Sequence, residues 1–199
     1  MSGRFQLAVI IGSTRQGRLG PAVASWFSDQ AAARDDIDVD LIDLAEFEVP
    51  LALPAESPLY AGESYPRPAS MRPVTEVLDA ADAFVVVTPE YNHSFPAPLK
   101  QVIDAFSTEW RAKPAAFVSY GGISGGLRAV EQLRQVFAEL HVVTIRDTVS
   151  LHGIWSHVGP DGRLIEDAAR AGAARAMLQR LVWWARALRT ARLATPYVA

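Results

Sequence analysis

The sequence predicts an α/β fold: a doubly wound sheet of about five parallel strands, in the order 2-1-3-4-5, with helices on both faces. Short apolar runs alternate with longer segments whose apolar residues recur at helical spacing, a pattern typical of parallel sheets. Three of the apolar runs end in turns rich in glycine, proline or polar residues. In the order 2-1-3-4-5 these runs are neighbours, so their turns meet at one edge of the sheet, where ligands of such folds bind.

The first half of the chain predicts one β-α-β unit and a long loop. Residues 5–11 are almost continuously apolar, as in a buried parallel strand. Residues 21–33 predict a helix with Pro21 in its first turn, and residues 36–44 alternate like a strand. Residues 45–70 contain five prolines, and we expect an ordered surface loop near the ligand. The apolar residues expected to pack there are Phe47, Leu51, Leu53, Leu59, Tyr60 and Tyr65.

The second half repeats the alternation of strands and helices. The predicted helices cover residues 71–81, 95–106, 127–140 and 166–189. The predicted strands cover residues 83–88, 115–120 and 141–145, the last continuing weakly to Val149, and a loop covers residues 151–161. There is no internal repeat and no linker, so we expect residues 1–199 to form one domain.

The composition narrows the classes of function. The chain has 199 residues, half of them hydrophobic, and a net charge of −3 without a long basic run, so nucleic acid is a poor partner. It has no cysteine, which excludes disulfides, thiolate metal sites and a cysteine nucleophile and is compatible with a reducing compartment. No apolar run is long enough to span a bilayer. We therefore expect a cytoplasmic protein that binds neither membranes nor a metal.

The turn that follows the first strand, Gly12 to Arg18, has the features of a phosphate site. Unpaired N–H groups at a helix start attract anions, and the two glycines let the main chain approach a ligand. The turn also offers two hydroxyls and two arginines. It lacks the spacing of the dinucleotide fingerprint and the lysine of the nucleotide P-loop. It therefore suits a terminal phosphate monoester without a metal, although an ordinary strand-to-helix turn with solvated arginines stays open.

The other two turns suit a flat ligand. Pro89 to Ser94 follows the strand of residues 83–88 and presents main-chain polar groups to the edge of a heterocycle. Tyr91 in this turn also fits a packing aromatic, and Glu90 also fits a carboxylate at a helix start. Ser119 to Gly126 is rich in glycine, so a ring can lie against bare backbone.

Together the three turns resemble the NADPH-dependent FMN reductase family, which has a flavodoxin-like fold. The matching text is Gly12 to Arg18, then Pro89 to Ser94 with Pro98 to Asp104, then Ser119 to Gly122 running into Gly125 and Gly126. The resemblance implies bound FMN, NADPH or NADH as co-substrate, and homodimers or homotetramers with the flavin close to a subunit interface.

The resemblance also implies roles for individual residues. The residues implied to hold the phosphate are Ser13, Arg15 and Arg18, with Thr14 and Gln16 assisting. Those implied to border the ribityl chain and the isoalloxazine ring are Pro89, Glu90, Tyr91 and Asn92, with Ser119, Gly121 and Gly122 at the ring's other edge. The residues His152, Trp155 and His157 match no motif of the family.

The implied activity is hydride transfer from a nicotinamide to FMN and on to a flavin, quinone or azo-type acceptor. No side chain is then needed as acid or base, so we expect no catalytic residue. A non-catalytic flavodoxin-like electron carrier or flavin-binding module is the alternative. A nucleotide-dependent kinase or ATPase is disfavoured because the P-loop lysine is absent.

Overall fold

A single parallel sheet organises the chain. A computed structural model describes residues 3–198, apart from the side chain of Leu59. The strands are β1 (Phe5–Ile11), β2 (Ile37–Asp43), β3 (Ala83–Pro89), β4 (Pro114–Gly121) and β5 (Val143–His152). They pair in the order β2-β1-β3-β4-β5, and all four pairings are parallel. The predicted fold class and strand order are confirmed.

Helices cover both faces of the sheet. The helices are α1 (Gly20–Ala32), α2 (Pro58–Ala61), α3 (Arg72–Ala80), α4 (Ala97–Asp104), α5 (Leu127–Glu139) and α6 (Ala168–Ala194). Successive strand residues point to opposite faces, so Val9 lies in the core on the side of α1 and α6, and Ile10 lies in the core on the side of α3, α4 and α5. Strands β1, β3 and β4 are buried on both faces, which explains their nearly continuous apolar sequence.

The last strand is longer than predicted. β5 runs from Val143 to His152, whereas the sequence suggested a strand over residues 141–145 that fades by Val149 and a loop from residue 151. Its register against β4 shifts, because Ala115 pairs with Thr144 whereas Phe117 pairs with Thr148. An edge strand with such a bulge can carry exposed polar residues, and these hid it in the sequence. Helix α6 likewise extends to Ala194 rather than ending at residue 189.

The proline-rich segment, residues 45–70, packs less fully than predicted. Tyr65 is buried, and Phe47 and Leu53 are half-buried against the core, but Leu51 and Tyr60 are 96% and 88% exposed. Leu59 lies outside the described side chains. The prolines interrupt regular structure, so the segment is held in place by a few anchoring contacts.

Arg67 is the main anchor of the proline-rich segment. Its Nε donates to Glu109 Oε1 at 2.6 Å and its Nη2 donates to Thr108 Oγ1 at 2.7 Å. Its Nη1 donates to the carbonyl oxygens of Glu63 and Tyr65 at 2.9 and 2.8 Å. The Glu109 side chain is only 1% exposed. The segment is therefore tied to the chain just after α4.

Candidate functional site

The three predicted turns meet at the carboxyl ends of β1, β3 and β4. They enclose a cavity of about 440 Å³, within the usual range of small-molecule sites. We call it the first cavity. The residues that line it are Arg15, Gln16, Gly17, Arg18, Leu19, Pro89, Glu90, Tyr91, Tyr120, Gly121, Gly122, Ile154 and Trp155.

A second cavity, of about 610 Å³, adjoins the first and shares Arg15, Glu90 and Tyr91 with it. It is lined by Thr14, Arg15, Glu90, Tyr91, Asn92, Pro96, Ala97 and Pro98. Of the described residues, none from the proline-rich segment lines either cavity. The expectation that this segment lies near the ligand is therefore not supported, since Arg67 holds it beside Thr108 and Glu109 instead.

The predicted site residues divide into three groups. Those lining the first cavity are Arg15, Gln16, Arg18, Pro89, Glu90, Tyr91, Gly121 and Gly122. Thr14 and Asn92 line only the second cavity. Ser13 and Ser119 are fully buried beneath their turns and line neither cavity. The two serines are thus placed to support the turns rather than to face a ligand.

The first turn, Gly12 to Arg18, is held by contacts with β3 and the turn after it, and one of its arginines is exposed to solvent. The buried Ser13 Oγ is hydrogen-bonded to the Tyr91 hydroxyl at 2.8 Å. The exposed guanidinium of Arg15 lies over the ring of the same tyrosine, 5.7 Å from its centroid. The Gly12 N–H donates to the Val87 carbonyl at 2.9 Å. The turn after β1 is therefore fixed against the turn after β3.

Arg18 is engaged within the protein, contrary to the expectation that it forks to a phosphate. Its Nη2 donates to Asp43 Oδ2 at 2.6 Å and its Nη1 donates to the Ser13 carbonyl at 2.9 Å. The side chains of Arg18 and Asp43 are only 16% and 11% exposed. Because Arg18 is bonded to a buried carboxylate and a carbonyl, it fixes the shape of the turn. Arg15 is the arginine of this turn that stays exposed to solvent.

The middle turn, Pro89 to Ser94, is a tight hairpin with unusual backbone angles. Tyr91 and Ser94 exchange two main-chain hydrogen bonds of 2.8 and 3.0 Å. The two residues between them have positive φ, 50° at Asn92 and 67° at His93. This is the geometry of a type I′ turn, which asparagine tolerates better than most residues. The Gln132 Nε2 of α5 donates to the His93 carbonyl at 2.8 Å, so the turn is also held from outside.

The glycine-rich turn depends on Gly126. This residue has a φ of 89°, and a Cβ built on it would lie 2.6 Å from Ser119 Cβ and 2.9 Å from the Tyr120 nitrogen. The hydroxyls of Ser119 and Ser150 both donate to the Gly125 carbonyl at 2.8 Å. The buried Ser119 therefore holds the turn in shape from beneath.

Glu90 joins the middle turn to the glycine-rich turn. Its Oε2 accepts from Ser124 Oγ at 2.6 Å and from the Arg128 N–H at 3.1 Å, and its Oε1 accepts from the Arg128 guanidinium at 2.8 Å. Burial acts to raise the pKa of Glu90, but these hydrogen bonds outweigh it and the pKa lies below its usual value. Glu90 is thus a carboxylate at a helix start, that of α5, as one of the two sequence interpretations has it.

Replacing Glu90 with glutamine is expected to lower the free energy of unfolding by about 1 kcal/mol at pH 7. A carboxylate whose folded pKa is depressed stabilises the protein above its unfolded pKa, near 4.5, and loses this effect as the pH falls through the folded value. The difference between wild type and Glu90→Gln should therefore shrink below about pH 4.5 in urea titrations. Glu131→Gln, which removes an exposed carboxylate from its pair with the half-buried Arg134, is the control and should show almost no difference at any pH.

A family model described as NADPH-dependent FMN reductase matches residues 5–156. The chain belongs to this family. It is 31% identical over 148 residues to an NAD(P)H-dependent FMN reductase of Schizosaccharomyces pombe, with 73% of each chain covered. It is 30% identical over 164 residues to a quinone reductase of Escherichia coli K12, with 77% of this chain and 80% of the relative covered.

Solved structures share the fold. FerB of Paracoccus denitrificans, described as a flavoenzyme NAD(P)H:(acceptor) oxidoreductase, matches with a TM-score of 0.68 and 21% identity. The match covers 92% of this chain and 97% of FerB. Flavodoxins match as well, so the fold is flavodoxin-like, as predicted.

The residues present fit an FMN-sized ligand at the first cavity. The Tyr120 hydroxyl is buried at the cavity wall near Ser13, and burial raises its pKa. Gly121 and Gly122 present bare main chain to the cavity, and Arg15 offers an open positive charge.

Among the described residues, no group of three His, Asp or Glu side chains is placed to hold a metal, and no helix is long and apolar enough to cross a bilayer.

Five lining residues were not assigned to the site from the sequence: Gly17, Leu19, Tyr120, Ile154 and Trp155. The latter two lie on a short 3-10 helix, Ile154–His157, directly after β5. No motif marks them. The predicted strand order could have indicated these two residues, because the loop after β5 must border the turn after β4.

Proposed function

We propose that the protein is an NAD(P)H-dependent, FMN-containing oxidoreductase that reduces a flavin, quinone or azo-type acceptor. The observation that carries the proposal is the meeting of three turns around the first cavity, in a chain of the FMN reductase family. The curated relatives named FMN reductase and quinone reductase support the same class of reaction. When bound, FMN supplies the hydride chemistry, taking hydride from a nicotinamide and passing electrons to the acceptor.

The phosphate end of the cofactor is assigned to the turn after β1. Arg15 is the open cation there, and the N–H groups before α1 add positive potential. Gln16 lines the cavity beside it, and Thr14 faces the adjoining second cavity. Ser13 and Arg18 act indirectly, since each is engaged with protein groups that fix the turn.

The ring end of the cofactor is assigned to the turns after β3 and β4. Pro89, Glu90 and Tyr91 form one side, Gly121 and Gly122 the other, and Asn92 lies beyond Tyr91. The Glu90 carboxylate is occupied by Ser124 and Arg128, so it fixes the walls rather than moving protons. The side chains thereby position the reactants and exclude water, and no acid or base among them is required.

The purified protein is expected to be yellow or to become so on addition of FMN. NADPH or NADH should bleach the flavin under anaerobic conditions, and a quinone should restore the colour. A flavin that neither nicotinamide can reduce would instead support the non-catalytic electron carrier. A colourless protein that takes up no FMN would rule out both.

Replacing Arg15 with alanine should weaken FMN binding by about 1.5–3 kcal/mol, the size of a hydrogen bond to a charged group. The reason is the loss of the open guanidinium of the first turn. Quenching of flavin fluorescence during titration measures the dissociation constant. Arg175→Ala, which removes another exposed arginine on α6, is the control. An unchanged constant for Arg15→Ala would show that this side chain points to solvent when FMN is bound.

A further inference from the structure

Trp155 is a large aromatic side chain that stays exposed at the rim of the first cavity. It lines the cavity, yet 70% of its surface is open to solvent. An exposed tryptophan at the rim of a cavity is a common feature of ligand-binding surfaces, because its flat face can stack on another ring.

The turn that carries Trp155 is fixed by its neighbours. Ile154 is 2% exposed and anchors the turn in the core. The Gly153 N–H donates to the Gly122 carbonyl at 3.0 Å, and His152 Nδ1 donates to the Ile123 carbonyl at 2.8 Å. His157 Nε2 donates to the His152 carbonyl at 3.0 Å. The two histidines that match no family motif therefore serve to hold the indole beside the glycine-rich turn.

The position of Trp155 puts it at the ring end of the site. β1 and β5 are separated by β3 and β4, so the first turn and Trp155 lie at opposite ends of the cavity. Two indole carbons come within 3.8 and 3.9 Å of where a Cβ on Gly122 would be. The FMN ring that we propose to rest against Gly121 and Gly122 would thus have the indole at its outer margin.

We propose that Trp155 stacks against the flat ring of the electron acceptor and makes the site selective for aromatic acceptors. The inference rests on the proposed function and adds a residue that sets substrate preference. Most of the indole is still exposed after it lines the cavity, so its free face is turned to arriving molecules. Its contribution is to binding of the acceptor, since no atom of an indole takes part in the electron transfer.

The test compares two acceptors that differ in ring character. A 1,4-naphthoquinone takes two electrons and two protons, from NADPH and one H⁺, and gives the hydroquinone and NADP⁺. Ferricyanide has no aromatic ring; two ferricyanide ions take one electron each from one NADPH and release NADP⁺ and H⁺. Both are assayed with Trp155→Ala, Trp155→Phe and the control Tyr60→Ala, which removes an exposed aromatic from the proline-rich segment.

In Trp155→Ala, the KM for the naphthoquinone should rise about fivefold or more, as expected for loss of an aromatic pair. The kcat, the KM for ferricyanide and the FMN dissociation constant should stay within about twofold of wild type by the same reasoning. Trp155→Phe keeps an aromatic ring and should therefore raise the KM for the naphthoquinone less than Trp155→Ala does. Tyr60→Ala should match wild type.

Several outcomes would overturn the inference. An unchanged naphthoquinone KM in an active Trp155→Ala enzyme would show that the indole does not contact the acceptor. Equal rises for both acceptors, or weaker FMN binding, would assign the indole to the flavin or to the fold. A wild-type protein whose flavin no nicotinamide reduces would instead refute the proposed function, and is recognised before any variant is made.

Discussion

Substituting alanine for Gly126 is expected to lower the free energy of unfolding by about 3 kcal/mol or more and to abolish FMN binding. A left-handed backbone costs an alanine about 1–2 kcal/mol, and forcing atoms into a packed site costs about 1–3 kcal/mol more. At this position the φ is 89°, and the new Cβ would meet Ser119 Cβ and the Tyr120 nitrogen at 2.6 and 2.9 Å. Both lie in β4, a strand paired on both sides, so neither can yield easily.

The matched control for this substitution is Gly162→Ala. Gly162 also has a positive φ, 78°, but nothing lies within 4 Å of the Cβ that would be added. It should cost only the backbone strain, about 1 kcal/mol, and leave FMN binding unchanged. Urea unfolding and flavin titration measure both effects. Equal losses of stability in the two variants would mean that contact with β4 contributes nothing.

Replacing Arg67 with alanine is expected to lower the free energy of unfolding by about 3–5 kcal/mol, the usual effect of removing one partner of a buried ion pair. The substitution leaves the Glu109 carboxylate, only 1% exposed, without the guanidinium that neutralises it at 2.6 Å. It also removes the hydrogen bonds to Thr108 and to the carbonyls of Glu63 and Tyr65. The proline-rich segment should then become sensitive to limited proteolysis.

Two further variants separate charge from contact in this prediction. The double substitution of Arg67→Ala with Glu109→Gln removes the unpaired charge and should recover part of the lost stability. Arg72→Ala breaks an exposed pair with Glu76 and should change stability by less than about 0.5 kcal/mol. If Arg67→Ala behaved like Arg72→Ala in urea unfolding, the buried pair would not be what holds the segment.

The strands that are buried on both faces could be predicted closely from the sequence. Residues 83–88 were predicted as a strand and Ala83–Pro89 forms one, because a parallel strand covered by helices must be apolar at every position. β5 was underpredicted for the opposite reason. It lies at the edge and contains a bulge, so the exposed Arg146 and half-buried Asp147 interrupt its apolar pattern without ending the strand.

The turns of the candidate site could be located from the sequence, but the direction of their side chains could not. Arg18 turns to Asp43, Glu90 to Arg128 and Ser119 to Gly125. For the first two, the partner lies more than twenty residues away along the chain, and no local pattern encodes which partner is met. Trp155 was missed as a lining residue for a related reason: its place depends on how β5 packs beside β4.

The buried pair of Arg18 and Asp43 makes the first turn less cationic than its sequence suggests. One of its two guanidinium charges is neutralised at 2.6 Å inside the protein, so the far field of the turn comes mainly from Arg15. Dissolved salt screens that far field, but it hardly screens short contacts with main-chain N–H groups. For the phosphate that we propose this turn to hold, the part of the affinity that comes from main-chain contacts should change little with ionic strength, and only the part that comes from Arg15 should weaken as salt is added.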